Sequence, residues 1–271
     1  MNTPLAYVTL LLYVASLVLY VWSLYGNKRH IGILASLCLA AGLAVHYLAL
    51  LERSRMVHAV PYEDLYGSMS LFAWLLAFTY LGLETYHHER SLGAFILPFV
   101  ILWMVVTIAV APGTPPRPAP GKGPLFALHV TLNILAYSAF ALSFVLSLIY
   151  LLQNRVLRER RPGRVFWRFP ALEVLESITR SSVMVGLVAL GVGITFGFIW
   201  EHRLSGRYLS ADPKIIATLV IVAAYIGYLW LARTTSWRGA RAALLCVVNF
   251  LIVIFSYTFV NLYLTNFHRY F

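Results

Sequence analysis

Long uninterrupted runs of apolar residues dominate the chain, and short polar segments separate them. About 20 consecutive apolar residues cross the hydrocarbon core of a bilayer as an α-helix. The runs lack the period-two alternation of a membrane β-barrel strand. The pattern therefore predicts an all-α polytopic membrane protein. We expect eight transmembrane helices, at about 4–25, 31–51, 66–86, 91–111, 125–152, 182–200, 214–233 and 241–263.

The first apolar run is interpreted as a membrane span and not as a cleavable signal peptide. No Lys or Arg precedes Lys28, and no small-residue cleavage site follows the run. The run is also longer than the apolar core of a signal peptide. We expect a single transmembrane domain over residues 1–271.

Composition agrees with this fold class. Hydrophobic residues make up 61% of the 271 residues and charged residues 11%, whereas soluble domains carry about 25% charged residues. Cys38 and Cys246 lie inside apolar runs, where cysteine behaves as a small hydrophobe, so we expect neither a disulfide nor a metal role for them. The sequence contains no Cys-x-x-Cys-His, the motif that attaches c-type haem.

The positive charge is distributed unevenly between the two ends of the predicted helices. Thirteen of the 21 Lys and Arg residues follow odd-numbered helices, and seven of these lie between residues 155 and 180. The positive-inside rule places these segments in the cytoplasm and both termini outside. Contact with membrane lipid and a topology signal explain the arginine-rich segment more simply than nucleic-acid binding, so no nucleic-acid partner is expected.

Two polar segments have recognisable local character. Residues 111–124 are rich in Pro and Gly and predict an outer loop. The segment FPALEVLESITR (169–180) places Leu172, Leu175 and Ile178 three residues apart. That spacing predicts one short amphipathic helix lying on the cytoplasmic surface.

Histidines gather near the predicted outer face, which holds five of the eight: His46, His58, His129, His202 and His268. His129 and His268 lie at the outer ends of the fifth and eighth predicted helices. Two neutral imidazoles from different helices can bind one haem iron axially. Alternatively, each histidine caps a helix or bonds a neighbouring carbonyl, and sequence separation does not show whether the two residues meet.

Aromatic and turn residues near the outer face also have two interpretations. Trp200 and Tyr208 suit an interfacial aromatic belt or stacking on a porphyrin. Asp212 and Pro213 are favoured N-cap and N1 residues, so they start the seventh helix. That local role leaves the basic and aromatic character of the loop unexplained.

Several segments of the sequence, taken in chain order, resemble the cytochrome c assembly (CcsA-like) family of system II cytochrome c biogenesis. The loop SGRYLSADPKI (205–215) is similar to the family's W-G-x-[YF]-W-x-W-D-P-[KR]-E. The other similar segments, all in collinear order from about residue 58 to the end, are PYEDLYGSMSLFAW, LHVTLNILAYSAF, LEVLESITR, WRGARAA and FVNLYLTNFHRY.

The resemblance implies a protein that binds haem, here expected to be haem b, and presents it for attachment to apocytochrome c. It implies that His129 and His268 are the axial ligands, with Trp200, Tyr208 and Asp212 at the haem. It further implies a bacterial plasma membrane location, a functional face outside and a CcsB-type membrane partner. No catalytic residues are expected in this chain, which would act, if at all, as part of a haem lyase complex.

Departures from the family pattern keep alternatives open. The family's three loop tryptophans are Ser205, Leu209 and Ala211 here, and a histidine expected in the seventh helix is Trp230. A HemX/YpjD-like regulatory or accessory subunit without haem transfer is therefore the second hypothesis. A structural subunit of a larger membrane complex is the third.

Overall fold

The computed structural model describes residues 4–26, 29–57, 65–109, 123–160, 169–206, 213–256 and 258. The regular elements of these residues are eight α-helices, which confirms the predicted all-α class. They are α1 (Pro4–Gly26), α2 (Arg29–Val57), α3 (Leu65–His87), α4 (Gly93–Ala109), α5 (Pro124–Arg158), α6 (Leu172–Ser205), α7 (Pro213–Leu231) and α8 (Ala240–Phe255).

The helices have the lengths and composition of membrane spans. Five of them, α1, α2, α3, α5 and α6, are long and apolar enough to cross a bilayer, and α4, α7 and α8 are shorter apolar helices. Large aliphatic side chains are exposed along them, such as Leu11 and Val188 at 68% and 61%. Such apolar surfaces are stable in contact with lipid, so the fold is that of a membrane protein. The number of spans and the outside location of the termini stay predictions.

The prediction of a separate surface helix at 169–180 is wrong. Residues 172–180 are helical, but they form the first turns of the continuous 34-residue helix α6. Leu175 and Ile178 are buried in the protein, at 0% and 3% exposure. Ser182, further along the same helix, donates its hydroxyl hydrogen bond to the Ala139 carbonyl of α5. The amphipathic spacing therefore reflects packing against protein.

The chain folds into two compact units, one holding α1–α4 and the other holding α5–α8. Within the first unit, each helix contacts the next and α1 also contacts α4. Within the second, α5 to α8 make the same closed ring. Each unit is thus a four-helix arrangement with one interior, as expected for helices that follow one another through short connections.

The interior of the first unit is unusually polar. The buried residues of α1 are Ala6, Thr9, Tyr13, Ser16 and Tyr20, which recur every three or four positions and so form one helix face. The opposite face carries the exposed apolar side chains. This helix therefore places its polar stripe inward, as a helix surrounded by lipid does when polar groups link it to its neighbours.

Glu84 is the centre of the most connected of these polar contacts. Its carboxylate is buried on α3 at 3% exposure. It accepts hydrogen bonds from Tyr20 at 2.5 Å, from Tyr80 at 2.6 Å and from Ser36. Arg90 Nε lies 3.9 Å from the carboxylate. One acidic side chain thereby joins α1, α2, α3 and the segment that leads to α4.

The second unit has an aromatic core where Phe140 of α5 lies between α6 and α7. Phe140 of α5 stacks on Tyr225 of α7 with ring centroids 3.9 Å apart. A Cβ atom at Gly186 of α6 would lie 2.4 Å from the Phe140 ring, so only glycine lets α6 approach this closely. The same close approach recurs further along both helices and positions the candidate site.

We predict that Glu84→Gln destabilises the protein by about 1–3 kcal/mol, the cost of leaving a buried hydrogen-bonding group unsatisfied. The neutral amide removes the charge that faces Arg90. It also replaces a carboxylate oxygen, which only accepts, by an NH₂ group that opposes the hydroxyl donors. Thermal unfolding of the detergent-purified variant measures the effect.

The matched control is Glu52→Gln on α2, because Glu52 is exposed. Its melting temperature should stay within a degree or so of that of the unmodified protein, since surface substitutions change stability by about 0.5 kcal/mol or less. Equal melting temperatures for the two variants would show that the Glu84 contacts do not stabilise the first unit.

Candidate functional site

His129 lies in the second turn of α5 and points toward α6. Its Nδ1 atom is 2.7 Å from the carbonyl oxygen of Gly193. A carbonyl oxygen only accepts hydrogen bonds, so Nδ1 carries the proton and donates. In a neutral imidazole the other nitrogen, Nε2, then holds a lone pair. The backbone of α6 thus fixes both the tautomer and the orientation of this ring.

Asn133 follows His129 by one helical turn, and its side chain packs against the same ring. Its Nδ2 atom is 3.2 Å from His129 Nε2 and 3.4 Å from Nδ1. The two distances are nearly equal, so the amide nitrogen packs against the ring and does not lie on the in-plane lone pair of Nε2. The Asn133 Oδ1 atom is buried and has no hydrogen-bond partner among the described residues.

Two glycines of α6 make room for these side chains. A Cβ atom at Gly193 would lie 2.7 Å from Asn133 Oδ1, and one at Gly197 would lie 2.5 Å from His129 Nδ1. The spacing of these glycines is Gly-x-x-x-Gly, which lets two membrane helices approach closely. The pair forms a slot on α6 into which the polar face of α5 fits.

Aromatic rings border this slot toward the end of α6. Phe126, three residues before His129, lies with its ring centroid 6.3 Å from the imidazole. Phe126 also contacts Trp200, with ring centroids 4.6 Å apart. Trp200 lies three residues beyond Gly197 and is partly buried. The histidine thus has the Phe126 ring beside it, and Phe126 in turn packs against Trp200.

The structure brings together two of the predicted site residues, His129 and Trp200, through Phe126. The other three, Tyr208, Asp212 and His268, lie outside the described residues, so their proximity to His129 stays a prediction. Trp230, which stands where the family has a histidine, lies on α7 with 68% of its side chain exposed.

A second histidine, His46, is fully buried in the first unit. Its Nδ1 lies 3.0 Å from the Tyr13 hydroxyl, and its Nε2 lies 2.9 Å from the Ser70 hydroxyl. Both ring nitrogens are therefore engaged with protein groups of α1 and α3. This arrangement links helices and leaves neither nitrogen for an iron, which resolves the role that the sequence left open for His46.

The chemistry of the His129 site fits a haem ligand. Histidines that bind metals through one nitrogen almost always donate the other N–H to a carbonyl or carboxylate, which fixes the ring and strengthens the ligand. His129 has this arrangement with Gly193. The slot formed by Gly193 and Gly197 holds the ring edge, and Phe126 and Trp200 supply apolar surface next to it.

These features define a class of protein: a polytopic helical membrane protein that holds a histidine between two long helices. The sequence profile of the family described as "Cytochrome C assembly protein" matches residues 62–268. The chain belongs to this cytochrome c assembly family, as its resemblance to CcsA-like proteins indicated.

Individual relatives are similar over most of their length. Protein HemX of Brevibacillus brevis is 28% identical over 256 residues, which cover 90% of this chain and 92% of that protein. The cytochrome c biogenesis protein CcsA of Synechococcus sp. (strain CC9902) is 26% identical, covering 99% and 96%. CcsA of Guillardia theta is 26% identical, covering 78% and 76%.

Sequence reasoning missed Asn133, Phe126, Gly193 and Gly197. The first two had a signal, because they are spaced four and three residues from His129 and so share its helix face. The Gly-x-x-x-Gly of α6 was a further signal for a close helix contact. However, the register between α5 and α6 determines which residue of α5 enters that contact. The two contacting residues, His129 and Gly193, are 64 positions apart in the sequence.

We predict that Gly197→Ala lowers stability by about 1–3 kcal/mol, the usual cost of overpacking. The added methyl group would meet the His129 ring at 2.5 Å, so the ring must move or the two helices must separate. Thermal unfolding in detergent measures the loss.

Gly191→Ala on the same helix is the control, since no atom lies within 4 Å of its added Cβ. That variant should be as stable as the unmodified protein or slightly more stable, because alanine is the better helix former. Equal melting temperatures for Gly197→Ala and Gly191→Ala would contradict the close α5–α6 contact at His129.

Proposed function

We propose that the chain is a haem-presenting component of system II cytochrome c biogenesis. In this proposal His129 and His268 bind the iron of haem b from two sides at the outer face of a bacterial plasma membrane. Trp200, Tyr208 and Asp212 border the haem. The observation that carries the proposal is the bond from His129 Nδ1 to the Gly193 carbonyl, which prepares Nε2 as a ligand.

The family supports the general role and the local geometry supports the residue. Membership in the cytochrome c assembly family rests on the match over residues 62–268, which spans both α5 and the segment with His268. The similarity to two relatives named cytochrome c biogenesis protein CcsA extends over 96% and 76% of the lengths of those proteins. A bis-histidine site made from α5 and the C-terminal segment agrees with both findings.

This chain's contribution would be to bind and position. His129 is oriented by its bond to the Gly193 carbonyl of α6, and the aromatic pair Phe126–Trp200 supplies apolar surface near the ring. When bound, haem supplies the porphyrin edge to which the cysteine thiols of apocytochrome c become attached. No catalytic residue is assigned here, and a CcsB-type membrane partner would complete a haem lyase complex.

A HemX-like accessory role without haem transfer is the second candidate. It is favoured by the loss of the family's loop tryptophans at Ser205, Leu209 and Ala211 and by the exposed Trp230 on α7. The similarity to protein HemX over 92% of that protein's length agrees with it. This alternative keeps the scaffold and predicts no haem on the purified chain.

The absorption spectrum of the detergent-purified protein separates the two candidates. Haem presentation predicts a low-spin bis-histidine spectrum, oxidised and dithionite-reduced, with about one haem per chain by pyridine haemochrome. A protein that stays colourless after haem is added would favour the accessory role instead.

We predict that His129→Ala and His268→Ala each change the spectrum of bound haem from low-spin to high-spin, because each removes one axial ligand. His87→Ala is the control: His87 ends α3 in the first unit, so its variant should keep the original spectrum. Identical spectra for all three variants would exclude the ligand assignment.

A further inference from the structure

The basic loop, residues 232–239, connects α7 to α8. We infer that this loop, together with Arg241 in the first turn of α8, binds the phosphate headgroups of anionic phospholipids. The inference does not rest on the proposed function, because the loop lies at the other end of the second unit from His129.

The position of the basic loop follows from its contact with α5. A Cβ atom at Gly239 would lie 3.0 Å from the Tyr150 hydroxyl oxygen. His129 lies near the start of α5 and Tyr150 near its end, so at about 1.5 Å per residue they are about 30 Å apart along the helix axis. This separation matches the thickness of the hydrocarbon core of a bilayer. If α5 crosses the membrane, the basic loop therefore lies at the membrane surface opposite to His129.

The basic loop carries a net positive charge. Glu176 of α6 approaches it, with Oε1 at 3.8 Å from the position of a Cβ atom at Gly239. The sequence contains no Asp or Glu after Asp212, so α8 and the loop add no further carboxylate side chain. Glu176 can offset one of the three exposed guanidinium groups, which belong to Arg233, Arg238 and Arg241.

The backbone of the basic loop is ordered, while two of its arginine side chains stay available. Backbone hydrogen bonds close its turns, and Arg241 Nη1 donates to the Ser236 carbonyl at 2.9 Å. The side chains of Arg233 and Arg238 have no hydrogen bond or ion pair with the residues that the structure describes. They can therefore bind a phosphate without breaking a contact of the folded chain.

Two tryptophans indicate that the basic loop lies at the depth of lipid headgroups. Trp230, in the last turn of α7, is 68% exposed, and Trp237, in the loop, is 38% exposed. Tryptophan is enriched at the interface between membrane and water. The positive-inside rule accounts for arginines after a helix, but it requires neither exposed tryptophans nor an ordered backbone. Arginines next to interfacial aromatic rings fit the phosphate of a lipid whose chains lie in the bilayer.

Quenching of tryptophan fluorescence by brominated lipids tests this inference. The full chain is reconstituted in phosphatidylcholine vesicles that contain a small fraction of brominated phosphatidylglycerol or, in a parallel sample, brominated phosphatidylcholine. The difference between the unmodified protein and Trp237→Phe isolates the signal of Trp237. Titration of each brominated lipid then gives the affinity of phosphatidylglycerol relative to phosphatidylcholine at the basic loop. We expect phosphatidylglycerol to be preferred.

Arg233→Gln and Arg238→Gln should each lower this relative affinity about fivefold, the contribution of one basic side chain near an anionic surface. The double variant Arg233→Lys/Arg238→Lys keeps both charges and should keep the preference. Loss of the preference in the lysine variant as well would attribute the effect to altered loop structure and would overturn the inference.

Arg155→Gln is the matched control, because Arg155 is an exposed arginine in the last turn of α5 that already pairs with Glu159 at 2.7 Å. It lies near the same end of the second unit as Tyr150. Its variant should keep the relative affinity measured at Trp237. A decrease equal to that of the glutamine variants of the loop would show a general effect of net charge and no defined site.

Two further outcomes would overturn the inference. Equal quenching of Trp237 by the two brominated lipids would mean that the tryptophan contacts lipid without selecting its headgroup. Loss of the preference when inorganic phosphate is added at constant ionic strength would assign the arginines to a soluble anion. None of these measurements involves haem, so their failure is distinguishable from a failure of the proposed function.

Discussion

The close contact between α5 and α6 is the constraint on which the candidate site depends. Three positions of α6, Gly186, Gly193 and Gly197, lack the side chain that would hold the helices apart. They receive the Phe140 ring, the Asn133 amide and the His129 ring. Lipid tails are as apolar as the helix surfaces, so the hydrophobic effect does not drive helices together within a bilayer. Such close packing and interhelical hydrogen bonds stabilise the association instead. The histidine is oriented because the helices are this close.

The first unit combines such close packing, at Gly42 against Tyr13 and at Gly93 against Tyr20, with buried polar contacts. Its helices are joined by buried polar side chains, above all Glu84 with its hydroxyl donors and His46 between Tyr13 and Ser70. A polar group buried in hydrocarbon is costly unless it is bonded, so these partners must be present together. Close packing at glycines therefore defines helix neighbours in both units, and the first unit adds a network of buried polar contacts.

The apolar pattern predicted the existence of all eight helices but placed several ends too early. The predicted second span ends at 51, whereas α2 continues to Val57 through Glu52 and Arg55. Charged residues end an apolar run, yet they are good helix formers and do not end a helix. For the same reason α6 begins at Leu172 and not at the predicted residue 182, because the charged residues before the apolar run are also helical. Gly206, in a left-handed conformation, follows the end of the helix. The family resemblance singled out His129, but its contacts with Gly193 and Asn133 depend on a helix register that one sequence does not reveal.

The Glu84 contacts also bear on the order in which the chain enters the membrane. Glu84 lies in the last turn of α3, which ends at His87, and a carboxylate within a membrane helix is unfavourable unless it is bonded. Ribosomes synthesise the N-terminal helices first, so Tyr20 of α1 and Ser36 of α2 are in place before α3 emerges with Glu84. The hydroxyl groups of α1 and α2 are therefore already present to bond the Glu84 carboxylate when α3 joins them.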